Sequence, residues 1–116
     1  MKGLFEELKN IDFDYINVYE RFLGDEELFT FCFNEFINEE SFDKIKELLN
    51  KKKYSDAVFP VHALKGVSAN LGLNRIYELL CDLTEDLRAD RFANVDKLYN
   101  EIEDERKKLR KYASTK

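Results

Sequence analysis

His62 is the only histidine in the chain. A neutral imidazole is a nucleophile at physiological pH. Lys65 follows three residues later, one turn away on the same side if the segment is helical. Its ammonium would attract an anionic group carried by the ring, which suits a histidine that accepts a phosphoryl group and passes it on. The remaining nucleophiles, Cys32 and Cys81, show no C-x-x-C spacing and read as free thiols of a reducing cytoplasm. A zinc site would need His62, both cysteines and a fourth ligand to converge, so no metal is expected. Neither a G-x-S-x-G elbow nor a glycine-rich phosphate loop occurs. With nothing to bind a nucleotide, a phosphate on His62, if it is phosphorylated, must come from another protein.

These groups act only if the segment around them presents them. At about 100° per residue, with His62 at zero, Ala57, Pro60, Val61, Leu64, Val67, Ser68 and Leu71 fall within an arc of roughly 140° to 260°. A lone histidine among apolar residues is commonly a hydrogen-bonded core group. Here the apolar stripe lies nearly opposite the ring, so His62 is expected in solvent. Val58, Phe59, Lys65, Gly66 and Ala69 lie within about one turn on its side, and none is acidic. A mid-helix glycine costs about 1 kcal/mol relative to alanine. Gly66 therefore serves either close helix packing or the approach of a partner, and its outward position favours the partner. Pro60 removes the backbone bond to Asp56 and is expected to bend this helix or delay its regular part.

The elements that must hold this segment are helical throughout. Leu4, Phe5, Leu8 and Ile11 mark a short opening helix. A second, capped by Asp12 or Asp14, would bury Ile16, Tyr19 and Phe22 or Leu23 and stop at Gly24. From Asp25, the stripe of Leu28, Phe29, Cys32, Phe33, Phe36 and Ile37 runs on through Ile45, Leu48 and Leu49, with a bend at Ser41. Lys51-Lys52-Lys53 is a basic end suited to a helix C-terminus. The His62 helix is expected over about 55–71, with Gly72 in the left-handed C-terminal position. Asn74 opens a helix carrying Ile76, Leu80, Leu83 and Leu87, and Asn94 caps a last one carrying Val95, Leu98, Ile102, Leu109 and Tyr112. The fold expected is all-α: an antiparallel up-down four-helix bundle with one or two short N-terminal helices, as a single domain over 1–116.

Composition agrees with that architecture. The 116 residues are 44% hydrophobic and 37% charged, and ten Phe with six Tyr can fill one core. One proline and four glycines leave little turn chemistry for an all-β fold. A net charge of −5 gives no basic field for nucleic acid or an anionic membrane. No run of about 18 apolar residues spans a membrane, and no long apolar run follows Met1-Lys2-Gly3-Leu4, so no signal peptide is expected.

His62-Ala63-Leu64-Lys65-Gly66-Val67-Ser68-Ala69-Asn70-Leu71-Gly72 resembles the signature of histidine-containing phosphotransfer domains, H-x-L-K-G-x-S-x-x-L-G, at every defined position. More loosely, 22–28 resembles the family's opening turn, and the helix after Gly72 is similar at Leu83 and Arg88. The resemblance implies a four-helix bundle with an exposed histidine. Its Nε2 would accept phosphate from the aspartate of a response-regulator receiver domain, or of a hybrid histidine kinase's receiver, and donate it to a second receiver. Lys65 would stabilise the phosphoryl group, and Gly66 would clear space for the partner. The family's Gln or Glu that hydrogen-bonds the other ring nitrogen falls on Thr84 here, a shorter side chain. The bond would then run through water, come from Glu85, or be missing. Arg88, on the flank of Thr84, either adds positive charge near the site or pairs with Glu85 as a solvated arginine.

The leading expectation is a cytoplasmic phosphocarrier, transiently phosphorylated on His62, with no autonomous kinase activity. Mg²⁺ and the acidic pocket would belong to the receiver, so no cofactor is expected. Val58, Phe59, Gly66 and Ala69 would meet the partner, with Phe31 as a further apolar contact. The charged outer faces point to a monomer, although the aromatic surplus of 28–37 could serve a dimer. The alternative is a helical docking module that binds receiver or kinase domains without carrying phosphate. A third reading, a piece of a larger chemotaxis-type kinase, would require catalytic segments beyond this chain.

Overall fold

A computed structural model describes residues 3–113; Met1, Lys2 and residues 114–116, part of the expected 1–116 domain, lie outside the described residues. Those described form seven helices: α1 Leu4–Leu8, α2 Tyr15–Arg21, α3 Glu26–Ile37, α4 Ser41–Asn50, α5 Tyr54–Asn70, α6 Asn74–Arg88 and α7 Val95–Ala113. They contain no strand, only an isolated bridge between Phe13 and Leu73. None of the helices is long and apolar enough to cross a membrane.

Local chemistry sets the helix ends. The Asp25 carboxylate accepts the Leu28 N–H (3.0 Å) at the start of α3, with Glu26 and Glu27 in the first turn, where the helix dipole favours negative charge. At the end of α5 the Leu73 N–H reaches Ser68 O and the Gly72 N–H reaches Ala69 O, each at 3.1 Å. Gly72 has φ +67°, the left-handed position the spacing predicts. Three other helices end on the same paired bonds without a glycine at that position. Leu23, Lys52 and Asp90 take φ +54°, +58° and +57° after α2, α4 and α6. Thus α2 stops at Arg21, and Leu23 rather than Gly24 makes the first left-handed step.

The expected apolar face of α2 is also revised. Val18 is the residue it buries, while Ile16 is 69% and Leu23 92% exposed and Tyr19 is half in solvent. A seven-residue helix resting on one side chain and the Phe22 ring at its end cannot bury a second row. Residues 38–40 interrupt the long 25–49 segment, giving α3 and α4 separately. Pro60 sits inside α5 without delaying it, since the helix already starts at Tyr54.

The buried hydrophobic residues join in one core. Phe29 is its aromatic hub, with ring centroids 4.8 Å from Phe5, 5.3 Å from Phe22, 5.7 Å from Phe13 and 6.1 Å from Phe33. Offset and edge contacts of this kind add to plain burial. Helix α5 packs on α4 and α6, α6 on α7, and α7 on α3; α3 and α4 both touch α5 and α7. At the buried end of α7, Tyr99 donates its hydroxyl to Phe42 O and lies 2.8 Å from a Glu103 carboxylate oxygen. Burial, with that carboxylate second, raises the Tyr99 phenol well above its ordinary value.

The N-terminal residues are tied to the α5–α6 turn. The Asp14 N–H donates to Gly72 O (3.0 Å) and the Asn74 N–H to Asp12 O (3.2 Å). Asn74 Nδ2 donates to Asp12 Oδ1 (2.9 Å), and Arg21 Nη1 to Asn70 O (2.6 Å).

Candidate functional site

Helix α5 carries the candidate site near its middle. Its packed side is Ala57, Val61, Leu64 and Ser68, all buried, and the spacing of these four turns His62 outward. His62 is exposed, and neither ring nitrogen has a hydrogen-bond or ion-pair partner among the described residues. The ring is therefore open to a visiting group.

Gly66 lies one turn beyond. A Cβ built there meets nothing within 4 Å, so close packing within the chain does not explain the glycine. Ala69 and Phe59 are exposed on the same side, Phe59 at 80%. Lys65 and Val58 depart from the expectation, both being part-buried. They stand where the helix surface turns from solvent toward its packed side. Lys65 makes no ion pair among the described residues. A lysine there can lay its stem on the protein and keep its ammonium in water beside His62.

Val67 is a correction. Placed in the core stripe by the wheel, it is 42% exposed. It stands with Ala63 at the edge of a groove of about 460 Å³ between α3 and α5. Because α3 does not close over α5 here, the solvent arc of α5 extends past His62 toward Phe59, Ala63 and Val67. Those three are spaced i, i+4 and i+8, which puts them in one row. Pro60, also assigned to the stripe, is only part-buried. Across the groove lies Phe31, 62% exposed. Its place off the Phe29, Phe33, Phe36 and Ile37 row of α3 was the sequence signal for it. Ala63, Val67, Glu35 and Glu39 of the groove carried no such signal.

On α6, Thr84 is buried at 1% exposure and donates its hydroxyl to Leu80 O at 2.7 Å. Its proton is thus used within its own helix, and no bond between Thr84 or Glu85 and His62 is formed. Ser68 is bound likewise, to Lys65 O at 2.7 Å. Arg88 is exposed and makes no ion pair with Glu85 or any other described residue.

Cys32 and Cys81 are free thiols, both part-buried. Cys32 lines the α3–α5 groove, and the Cys81 thiol near the Tyr77 phenol raises that phenol above its ordinary value. Among the described residues no three His, Cys, Asp or Glu side chains gather as a metal site would require. What the α5 surface offers chemically is one accessible imidazole, a lysine beside it, and cleared space. Compared with models of protein families, with curated proteins and with solved structures, the chain finds no match.

Proposed function

We propose that this chain is a histidine phosphocarrier of the kind its 62–72 segment resembles. In the forward step a nitrogen lone pair of His62 attacks the phosphorus of a receiver's aspartyl phosphate. The N–P bond forms as the P–O bond to the carboxylate breaks, and the free aspartate departs. In the second step the carboxylate of another receiver attacks the same phosphorus, and the imidazole leaves. Neither step consumes water or changes oxidation state. Lys65 faces the phosphoryl charge, and the space beside Gly66 admits the receiver's surface.

The observation that carries this reading is a solvent-facing His62, unpartnered among the described residues, on the row of α5 where Gly66 leaves room that no described residue fills. The packing supports the finer architecture as well. If α3 and α4 act as one helix broken at 38–40, then this pair, α5, α6 and α7 form an up-down antiparallel four-helix bundle with α1 and α2 against one end. The unpaired thiols support a cytoplasmic location, and the net charge of −5 supports a monomer.

The test is transfer. Receivers charged with acetyl phosphate are mixed with the chain, and acid-labile, base-stable label is followed. Label on the wild type and none on His62→Gln supports the carrier; no label from any of a panel of receivers overturns it. A docking module without phosphate is the second reading, favoured by the exposed Phe59, Phe31 and Val67. It predicts receiver or kinase binding that His62→Gln leaves unchanged, with no label.

A further inference from the structure

We infer that the groove between α3 and α5 seats an apolar side chain of a basic amphipathic helix on the phosphotransfer partner, and that Glu35 and Glu39 select the basic residues beside it. This rests on the phosphocarrier reading and extends it to the chemistry of the partner's surface. The groove, about 460 Å³, is lined by Phe31, Cys32, Phe36, Ala63, Leu64 and Val67. Phe36 and Leu64 are buried, while Phe31 and Val67 stand in solvent. Exposed apolar groups rimmed by polar ones mark interaction surfaces. Ala63 and Val67 share the exposed side of α5 with His62, so a helix seated here brings its own protein over the imidazole.

Charge decides which helix. Every charged side chain lining the groove is a carboxylate, Glu35 and Glu39, and Glu40 joins them in the adjoining hollow. None of the three forms an ion pair among the described residues; the Glu39 carboxylate accepts from Ser41, N–H at 3.4 Å and Oγ at 3.1 Å. Phe31 and Glu35 are spaced i, i+4 on α3. An apolar residue with a Lys or Arg one turn away matches that row in the helix-in-groove mode. A second copy of the chain would bring the same carboxylates and another −5, setting like charges against each other.

The experiment uses two short synthetic amphipathic helices, one with a Phe flanked by Lys at i±4 and one with Glu there. Each is titrated into the ¹⁵N-labelled chain. The Lys helix should shift Phe31, Cys32, Ala63 and Val67, bind more weakly as salt rises, and lose about tenfold in affinity in Glu35→Lys/Glu39→Lys. Because Glu39 also caps Ser41, Glu35→Gln/Glu39→Gln serves as the control that keeps shape, with a smaller loss in the same direction. Equal binding by both helices, shifts confined to another face, or dimerisation of the free chain through these residues would overturn the proposal. The peptide carries no phosphate, so the two readings fail separately. Peptide binding without label from any receiver sinks the carrier and spares the groove. Label passing at the wild-type rate to a folded Glu35→Lys/Glu39→Lys chain sinks the groove and spares the carrier.

Discussion

Replacing Gly66 with alanine separates the demands of folding from those of the partner. The residue lies inside the 17-residue α5, where glycine costs about 0.8–1.0 kcal/mol relative to alanine. The added methyl meets nothing within 4 Å, so no clash offsets that gain, and the site is exposed, so no burial enlarges it. Gly66→Ala should therefore stabilise the chain by about 1 kcal/mol, raising the melting temperature by roughly 3–6 °C for a domain of this size. Thermal and urea melts followed by far-UV circular dichroism read this directly. On the proposed function the same methyl occupies space the partner needs, and overpacking a close contact costs about 1–3 kcal/mol. Transfer from a charged receiver should slow by roughly five- to a hundredfold. A gain in stability joined to a loss of transfer is the expected pair. A lower melting temperature would show that this face of α5 is closed, and an unchanged transfer rate would show that no partner comes near Gly66.

Lys65→Ala should lower the unfolding free energy in urea melts by less than about 1 kcal/mol, the part-buried stem being its main stake in folding, while transfer falls about tenfold or more; unfolding without a rate defect would reverse its assignment. Gly72→Ala should cost more than about 2 kcal/mol in urea melts, because φ is +67° and the new Cβ would collide with Val18 Cγ2; a near-neutral result would contradict the close seating of α2 on this turn. Tyr99 holds its proton more tightly folded than unfolded, so its contribution is whole below about pH 10, the ordinary phenol value, and is lost as pH rises beyond it. Tyr99→Phe should cost about 1 kcal/mol near neutrality and flatten the alkaline fall in stability; an unchanged slope above pH 10 would show that Tyr99 titrates as an unburied phenol.

His62 was readable as exposed because Ala57, Val61, Leu64 and Ser68 alone define which side of α5 is packed, and a regular helix carries that phase along its length. Gly72 was readable because glycine acts locally, through its own backbone preference. Val67 was not, since its burial depends on how closely α3 approaches α5, and nothing in residues 57–71 encodes that distance. The same holds for Lys65 and Val58, whose partial burial reflects neighbouring elements. Leu23, Lys52 and Asp90 take left-handed positions usually filled by glycine, and their sequences show no sign of it. The break at 38–40 contains neither glycine nor proline. Thr84 illustrates the limit at a site: its number could be aligned with a family position, but whether its hydroxyl is free depends on a bond to Leu80 O that only coordinates reveal.

The bonds from Asp12, Asp14 and Arg21 to the turn that follows the histidine helix bear on recognition as much as on folding. They pin the C-terminal end of α5 to a separate part of the molecule, so the receiver proposed as its partner would press on an anvil rather than a spring. Little ordering entropy is then lost on this side of an encounter. Complexes could then form and part quickly, as the proposed relay would require.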